Sequence, residues 1–291
     1  MKRVLITGAN SYVGVSVENH LKKWPGQYQV DTVDMVDGSW RETAFAGYDA
    51  VFHVAGIVHL EKAKNDPAQA ELYERVNTRL AIETAQKAKA EGVRQFLFMS
   101  SASVYGLAAP VGKVVMITKD TPLAPVDHYG ISKRNAEEGL SALAGENFRL
   151  AILRPPMIYG KGCKGNYVTM AKLAKKLPFF PYVQNQRSML YMENLAEFVR
   201  LVIDDEAEGI FCPQNKDYVC TSDMVNRIAH ANGRGILMVP GFGWALRLLG
   251  RFTGIVDKAF GSLCYDFALS SYPRDYCLKT LEESILETET N

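Results

Sequence analysis

The chain has 291 residues, of which 47% are hydrophobic and 22% charged, and its formal net charge at pH 7 is +1. That length holds one large fold, or two joined parts with a continuous core, and the even charge balance excludes a global field that would draw in nucleic acid. The five cysteines contain no Cys-x-x-Cys pair and the five histidines no His-x-x-x-His pair; this predicts reduced thiols, a cytoplasmic setting and no metal site.

In chain order, RVLITG (3–8) is a β-branched run that ends on Gly8, and residues 12–24 read as a helix stopping before Pro25 and Gly26. QVDTVDM (29–35) and DAVFHVAG (49–56) read as the second and third strands. Residues 68–91 form one long helical stretch closed by Gly92. QFLFMSS (95–101) is a strand, 129–144 a helix, and FRLAILRPP (148–156) another strand. Such a βαβ series predicts an α/β fold, a Rossmann-type doubly wound parallel sheet with helices on both faces. The short apolar runs suit strands buried on both sides.

After about residue 160 the rhythm changes to short strands, Gly, Lys and Pro, then Leu-rich helices. The expected division is a dinucleotide-binding Rossmann domain over 1–160, also taking in about 187–210, and a smaller, mostly helical substrate-binding portion over 161–291. KLAKKL (172–177) reads as a solvated helix face. No run of about 18 apolar residues is present to span a membrane, and the first residues read as a strand rather than a signal peptide. ILMVPGFGWALRLLGRF (236–252) is expected to be a buried or subunit-facing helix, with contact to a bilayer surface as the alternative. The tail ESILETETN is expected to fray.

Two short motifs carry chemistry. TGANSYVG (7–14) lies between the first strand and the first helix. Gly8 suits the positive φ of a tight turn and Gly14 close packing of helix on strand. Ser11 replaces the middle glycine, and the helix N-terminal amides face a pyrophosphate. Asp34 follows Gly14 by about 20 residues, the spacing of a carboxylate that binds the adenosine ribose. It would repel a 2′-phosphate and so favours NAD over NADP. Asp31 alternates to the opposite face of the strand. The second motif is YGISK (129–133). On a helix, Tyr129 and Lys133 share a face, and an ammonium beside a phenol would favour the phenolate for proton transfer.

TGANSYVG, DAVFHVAG, VNTRLAIETAQKAKAEGVRQFLFMSSASVYG, YGISK, LRPPMIYG and RSMLYMENLAEFV occur in that order over roughly residues 1–210. In this the chain resembles the extended short-chain dehydrogenase/reductase family, in its nucleotide-sugar epimerase/dehydratase branch. The resemblance implies that Ser101, Tyr129 and Lys133 are catalytic: Tyr129 as acid/base, Lys133 tuning it and holding the nicotinamide ribose, Ser101 positioning the substrate oxygen. It implies cofactor contacts from Gly8, Asn10, Ser11, Tyr12, Val13, Gly14, Asp34 or Asp37, Ala55, Gly56 and Asn77, besides Tyr129 and Lys133. Substrate contacts would come from Ser101, Ser103, Asn166 and Arg187, the last on the diphosphate. Dehydratases of this branch carry an Asp-Glu pair where this chain has Ala102 and Ser103, which disfavours water elimination.

The resemblance therefore implies an NAD-dependent 4-epimerase of a UDP-hexose, with a 4-keto reductase as the alternative and a non-catalytic dinucleotide sensor as a remote one. The partner would be a nucleotide sugar or a lipid-linked sugar, and the protein a homodimer. The chain departs from the family pattern in three places. The stretch between Met35 and Asp49 is short for a segment that usually holds another strand. Met157 replaces an asparagine common in epimerases. A second phosphate arginine has no motif, leaving Arg247, Arg251 and Arg274 as candidates.

Overall fold

The computed structural model describes residues 1–58, 67–252 and 254–290. Its first half runs β1 (Lys2–Thr7), α1 (Tyr12–Leu21), β2 (Tyr28–Val33), β3 (Ala50–His53), α2 (Pro67–Tyr73), α3 (Leu80–Ala90) and β4 (Gln95–Met99). Then follow β5 (Val114–Ile117), α4 (His128–Ser141), β6 (Arg149–Leu153), β7 (Met157–Tyr159), α5 (Asn166–Lys176), β8 (Phe179–Pro181), β9 (Met189–Tyr191), α6 (Met192–Asp204) and β10 (Gly209–Phe211). The chain closes with α7 (Thr221–Ala231), β11 (Leu237–Val239), α8 (Gly243–Gly250), α9 (Gly254–Phe260), β12 (Ser262–Tyr265), α10 (Phe267–Ser270) and α11 (Leu281–Glu289).

Two compact units divide these elements. The first comprises residues 1–106, 122–155 and 196–212. Its sheet has six strands in the order β10-β6-β4-β3-β1-β2, every neighbouring pair parallel. The apolar strand runs sit where the alternation rule puts them: β3 and β4 are buried along their whole length, as strands covered on both faces must be. Phe96 and Phe98 from β4 pack with Ala81, Ala85 and Ala88 of α3 and with Ala136 and Leu140 of α4. The alanines keep helix and sheet close, and each buried phenylalanine contributes about 1.5–3 kcal/mol.

β2 is only half-buried and forms the edge of the sheet. No further strand stands between it and β3, only a single 3₁₀ turn (Ser39–Arg41); QVDTVDM is one element, ending at Val33. The helical stretch expected over 68–91 is likewise not uniform. A π-helical turn, Glu74–Arg79, separates α2 from α3, and such turns are frequent at functional sites.

The second unit comprises 107–121, 156–195 and 213–291. Compared with the expected division it also takes 156–160 and 187–195, and residues 107–121, whose strand β5 pairs with β12 along four residues. Two more parallel pairs, β7–β9 and β8–β11, accompany its helices. The terminal helix does not fray as expected. Thr280 and Glu283 form a capping box, Tyr167 donates to Glu289 at 2.9 Å, Tyr191 to Glu287 at 2.9 Å, and Lys175 pairs with Glu289 at 2.7 Å. Among the described residues, no helix is long and apolar enough to cross a membrane.

Candidate active site

β1 is the point where the strand order reverses, with β2 on one side and β3 on the other. In open α/β sheets ligands bind outside the carboxyl ends of the strands at such a point. Gly8 follows β1 there, at φ +104°. A β-carbon on Gly8 would stand 2.8 Å from the Ala55 backbone nitrogen, so the turn after β1 and the end of β3 fit only without one. Asn10 also has positive φ, 65°. Ser11 caps α1, its hydroxyl accepting from Gly14 N–H at 3.1 Å. Tyr12 and Val13 open the first turn, where amides have no intrahelical acceptor. This donor set, glycine turn and helix N-terminus together, fits a dinucleotide diphosphate.

Asp34 stands one residue beyond β2 and is exposed; one carboxylate oxygen accepts from Val36 N–H at 2.8 Å. Asp37 is turned into its own loop, accepting from both the amide and the hydroxyl of Ser39 at 3.0 and 2.7 Å, which holds its pKa below the usual carboxylate range. Asp34 is thus the more available of the two predicted ribose ligands. Arg41, the basic side chain of the turn after β2, is occupied by Glu83 at 2.5 and 2.6 Å.

Beside the loop lie the residues of the second motif. Asp127 caps α4 by accepting from Gly130 N–H at 2.8 Å. A β-carbon at Gly130 would meet the Ser103 carbonyl oxygen at 2.5 Å; the glycine of YGISK is what lets α4 press onto the 3₁₀ turn at Ala102–Tyr105. Ser101 caps that turn, accepting from Ser103 N–H at 3.2 Å and donating to Ser103 Oγ at 3.2 Å. Across this contact the Ser101 side chain stands near enough to the Tyr129 phenol to favour its ionised form.

Lys133, 4% exposed, donates to the Met99 carbonyl at 2.7 Å and lies 4.6 Å from the Phe98 ring centroid. A β-carbon on Gly56 would lie 3.5 Å from Lys133 Nζ and 2.9 Å from Asn77 Oδ1. Asn77 is fully buried in the π turn, and both ends of its amide are used. It accepts from Ile57 N–H at 2.8 Å and donates to Ile57 C=O at 2.9 Å and Ser132 Oγ at 3.1 Å. Its role is to clamp the backbone after Gly56 onto α4.

The electrostatics differ from expectation. Lys133 is not among the groups that shift Tyr129. Burial pushes the phenol up to about 12, the Ser101 side chain acts against that rise, and Asp127 and Tyr73 add to it. Burial lowers Lys133 to about 8, with Glu137 opposing. In the free chain desolvation dominates both groups.

Behind them is a buried polar network that sequence reasoning missed. Arg154 at the end of β6 grips Glu137 of α4 through Nε at 3.0 and 3.2 Å and Nη2 at 2.5 Å, and donates to Tyr105 Oη at 2.9 Å. The Ser100 hydroxyl, next to Ser101, also donates to Glu137. Tyr73, whose ring centroid lies 6.3 Å from that of Tyr129, was missed as well. So was His53, held neutral by burial with a pKa lowered to about 3 and joined to Thr7 at 2.7 Å. Only the Glu at Lys133+4 left a sequence trace, as the next position on the same helix face.

In the second unit, Arg187 lies between β9 and its neighbours and donates to Gly261 C=O at 2.9 Å. Burial lowers its pKa, and no carboxylate pairs with it among the described residues. A half-buried guanidinium that donates to a carbonyl is a ready anion ligand. Asn166 is exposed at the first position of α5. An open cleft of about 850 Å³ in this unit is lined by Tyr182, Gln184, Asp217, Tyr218 and Arg227 among others, and holds none of the predicted site residues.

A tyrosine with a serine and a lysine, set beside a glycine turn at the switch point, fits a dinucleotide-dependent enzyme of the extended short-chain dehydrogenase/reductase type. The chain belongs to the NAD dependent epimerase/dehydratase family, whose sequence model matches residues 4–219. It is 30% identical to UDP-glucose 4-epimerase of Vibrio cholerae, over 92% of this chain and 88% of that protein. It is 28% identical to N-acetyl-alpha-D-glucosaminyl-diphospho-ditrans,octacis-undecaprenol 4-epimerase of Escherichia coli O157:H7, over 71% of this chain and 64% of that protein. UDP-glucuronic acid 4-epimerase of Bacillus cereus, solved in complex with NAD, has the same fold, with TM-score 0.73 and 15% identity over 99% of this chain and 97% of that one. Other solved structures of this fold hold NADP or NADPH.

Proposed function

We propose that the chain is an NAD-dependent nucleotide-sugar 4-epimerase acting on a UDP-hexose through a 4-keto sugar, supplying sugars for surface polysaccharide. The observation that carries this reading is that Ser101, Tyr129 and the buried Lys133, which stands beside Gly56, gather next to the glycine turn at the switch point. Bound NAD supplies the acceptor and donor of hydride at sugar C4. Tyr129 Oη takes the C4 hydroxyl proton and later returns it, and Ser101 Oγ holds that oxygen in line. Lys133 places its charge at the cofactor side of Gly56. Asp34 takes the adenosine ribose, where its carboxylate would repel a 2′-phosphate, and Arg41 is turned to Glu83, which together favour NAD. Arg187 takes the substrate diphosphate, with Asn166 and Ser103 as further substrate contacts. No acid stands at Ala102 or Ser103 for water elimination. A cytoplasmic homodimer is part of the same reading.

A second reading, reduction of a UDP-linked 4-keto-6-deoxy sugar, is favoured by the fold's occurrence in solved structures that hold NADP or NADPH. The experiment is an interconversion panel of UDP-glucose, UDP-N-acetylglucosamine, UDP-glucuronate and an undecaprenyl-diphosphate-linked N-acetylhexosamine, each followed to its C4 epimer. One pair is expected to equilibrate from either side without net consumption of NAD. No exchange in any pair, together with reduction of a 4-keto sugar by NAD(P)H, would give the site to the second reading.

A further inference from the structure

The segment 236–252, expected to be a buried or subunit-facing helix with bilayer contact as the alternative, holds only a short helix, and that helix is not buried within the chain. α8 covers only Gly243–Gly250, and none of its residues is buried. With its flanks it holds, within eleven positions, five of the twenty large exposed hydrophobic side chains among the described residues: Phe242 (46% exposed), Trp244 (71%), Leu248 (49%), Leu249 (50%) and Phe252 (80%). Scattered exposed leucines need no explanation, but apolar side chains gathered on one short helix mark a contact surface.

The order along the helix says what kind of surface. Trp244, Leu248 and Phe252 repeat every four residues and form one stripe, which Leu249 and Phe242 widen on one side. Arg247 and Arg251, both exposed, repeat with the same spacing along the other side. Residues 234–256 contain three arginines and no Asp or Glu, in a chain whose net charge is only +1. The nearest acid along the chain, Asp257, accepts from Val111 N–H at 3.1 Å, and its Oδ1 stands 2.6 Å from where a β-carbon of Gly250 would lie. Apolar stripe, exposed tryptophan and basic border are the features of a helix that lies in the plane of a membrane interface. A two-fold copy of the chain is the poorer occupant. An isologous contact centred on α8 would bring the arginine pair of one protomer towards that of the other, whereas anionic headgroups neutralise it.

We propose that α8 and its flanks seat the enzyme reversibly on the surface of an anionic bilayer, with Trp244, Leu248 and Phe252 dipping into the interface and Arg247 and Arg251 on the headgroups. The inference is independent of which sugar is turned over. The test is sedimentation of the full chain with vesicles of phosphatidylglycerol and phosphatidylethanolamine, set against vesicles of phosphatidylcholine. Binding to the anionic vesicles is expected, with a blue shift of tryptophan emission and quenching by brominated lipid. Trp244→Ser/Phe252→Ser is expected to abolish both while leaving turnover of a soluble substrate as it was. Each of Arg247→Gln and Arg251→Gln should weaken partitioning about fivefold, and added salt should act in the same direction. A wild-type chain that stays in the supernatant with anionic vesicles overturns the proposal, as does binding that survives Trp244→Ser/Phe252→Ser. Loss of a dimer on that double substitution, without vesicle binding by the wild type, would assign the face to a second copy of the chain.

Discussion

Tyr129→Phe is expected to lower turnover by about 10²–10⁴-fold, the range lost with a general acid/base, while dinucleotide affinity hardly changes. The substitution removes one oxygen. The ring keeps its place 6.3 Å from Tyr73, α4 keeps its Asp127 cap, and Ser101 keeps its bonds to Ser103. Nothing in the glycine turn after β1 or at Asp34 depends on the hydroxyl. The variant should therefore bind cofactor and fold as the parent does, and fail only in moving the C4 proton. Steady-state interconversion kinetics read the first effect and cofactor titration the second. Turnover that survives the change would mean that another group carries the proton.

The second large effect is on stability. Arg154→Met should cost about 3–5 kcal/mol of unfolding free energy, because it strands the Glu137 carboxylate in the interior. The pair is 8% and 4% exposed in its side chains and joined at 2.5 Å. Glu137 would keep the Ser100 hydroxyl and the more distant charge of Lys133, and Tyr105 would lose the guanidinium at 2.9 Å. The double variant Arg154→Met/Glu137→Leu should recover most of the loss, since replacing both members of a buried ion pair with apolar groups is often neutral. Urea unfolding of the three proteins reads this directly. Equal losses in the single and double variants would show that the network contributes through packing rather than charge.

The inner strands of the sheet were legible because β1, β3, β4 and β6 are apolar runs, and because βαβ connectivity leaves few topologies; the short edge strand β10 was not read from the sequence. β3 and β4 begin within one residue of where DAVFHVAG and QFLFMSS predict them and end two or three residues earlier. Gly8, Gly14, Tyr129 and Lys133 were legible for a different reason: their spacing is itself the chemistry. The π turn at Glu74–Arg79 was not, since nothing local demands it. It is held from outside, by Asn77 to Ser132 Oγ and by Thr78 to the Ser132 carbonyl at 2.8 Å. The Glu137–Arg154 pair was hidden because its partners lie on different elements and each alone reads as an ordinary surface charge. For the 236–252 segment composition left burial, a subunit contact and a bilayer contact open, because hydrophobicity predicts burial only on average; Trp244 and Phe252 are as apolar as the core and lie in the open. Tyr129's pKa was misjudged because sequence spacing shows a neighbouring ammonium and says nothing of the desolvation that outweighs it.

The central claim is that the cofactor is recycled in place on a sugar that leaves as its C4 epimer. The most direct measurement is to purify the chain without added cofactor, denature it, and identify the released dinucleotide by mass and absorbance. The account predicts NAD in near-equimolar amount. A chain that releases none, and takes up NADH or NADPH loosely as a consumed reductant, would contradict it.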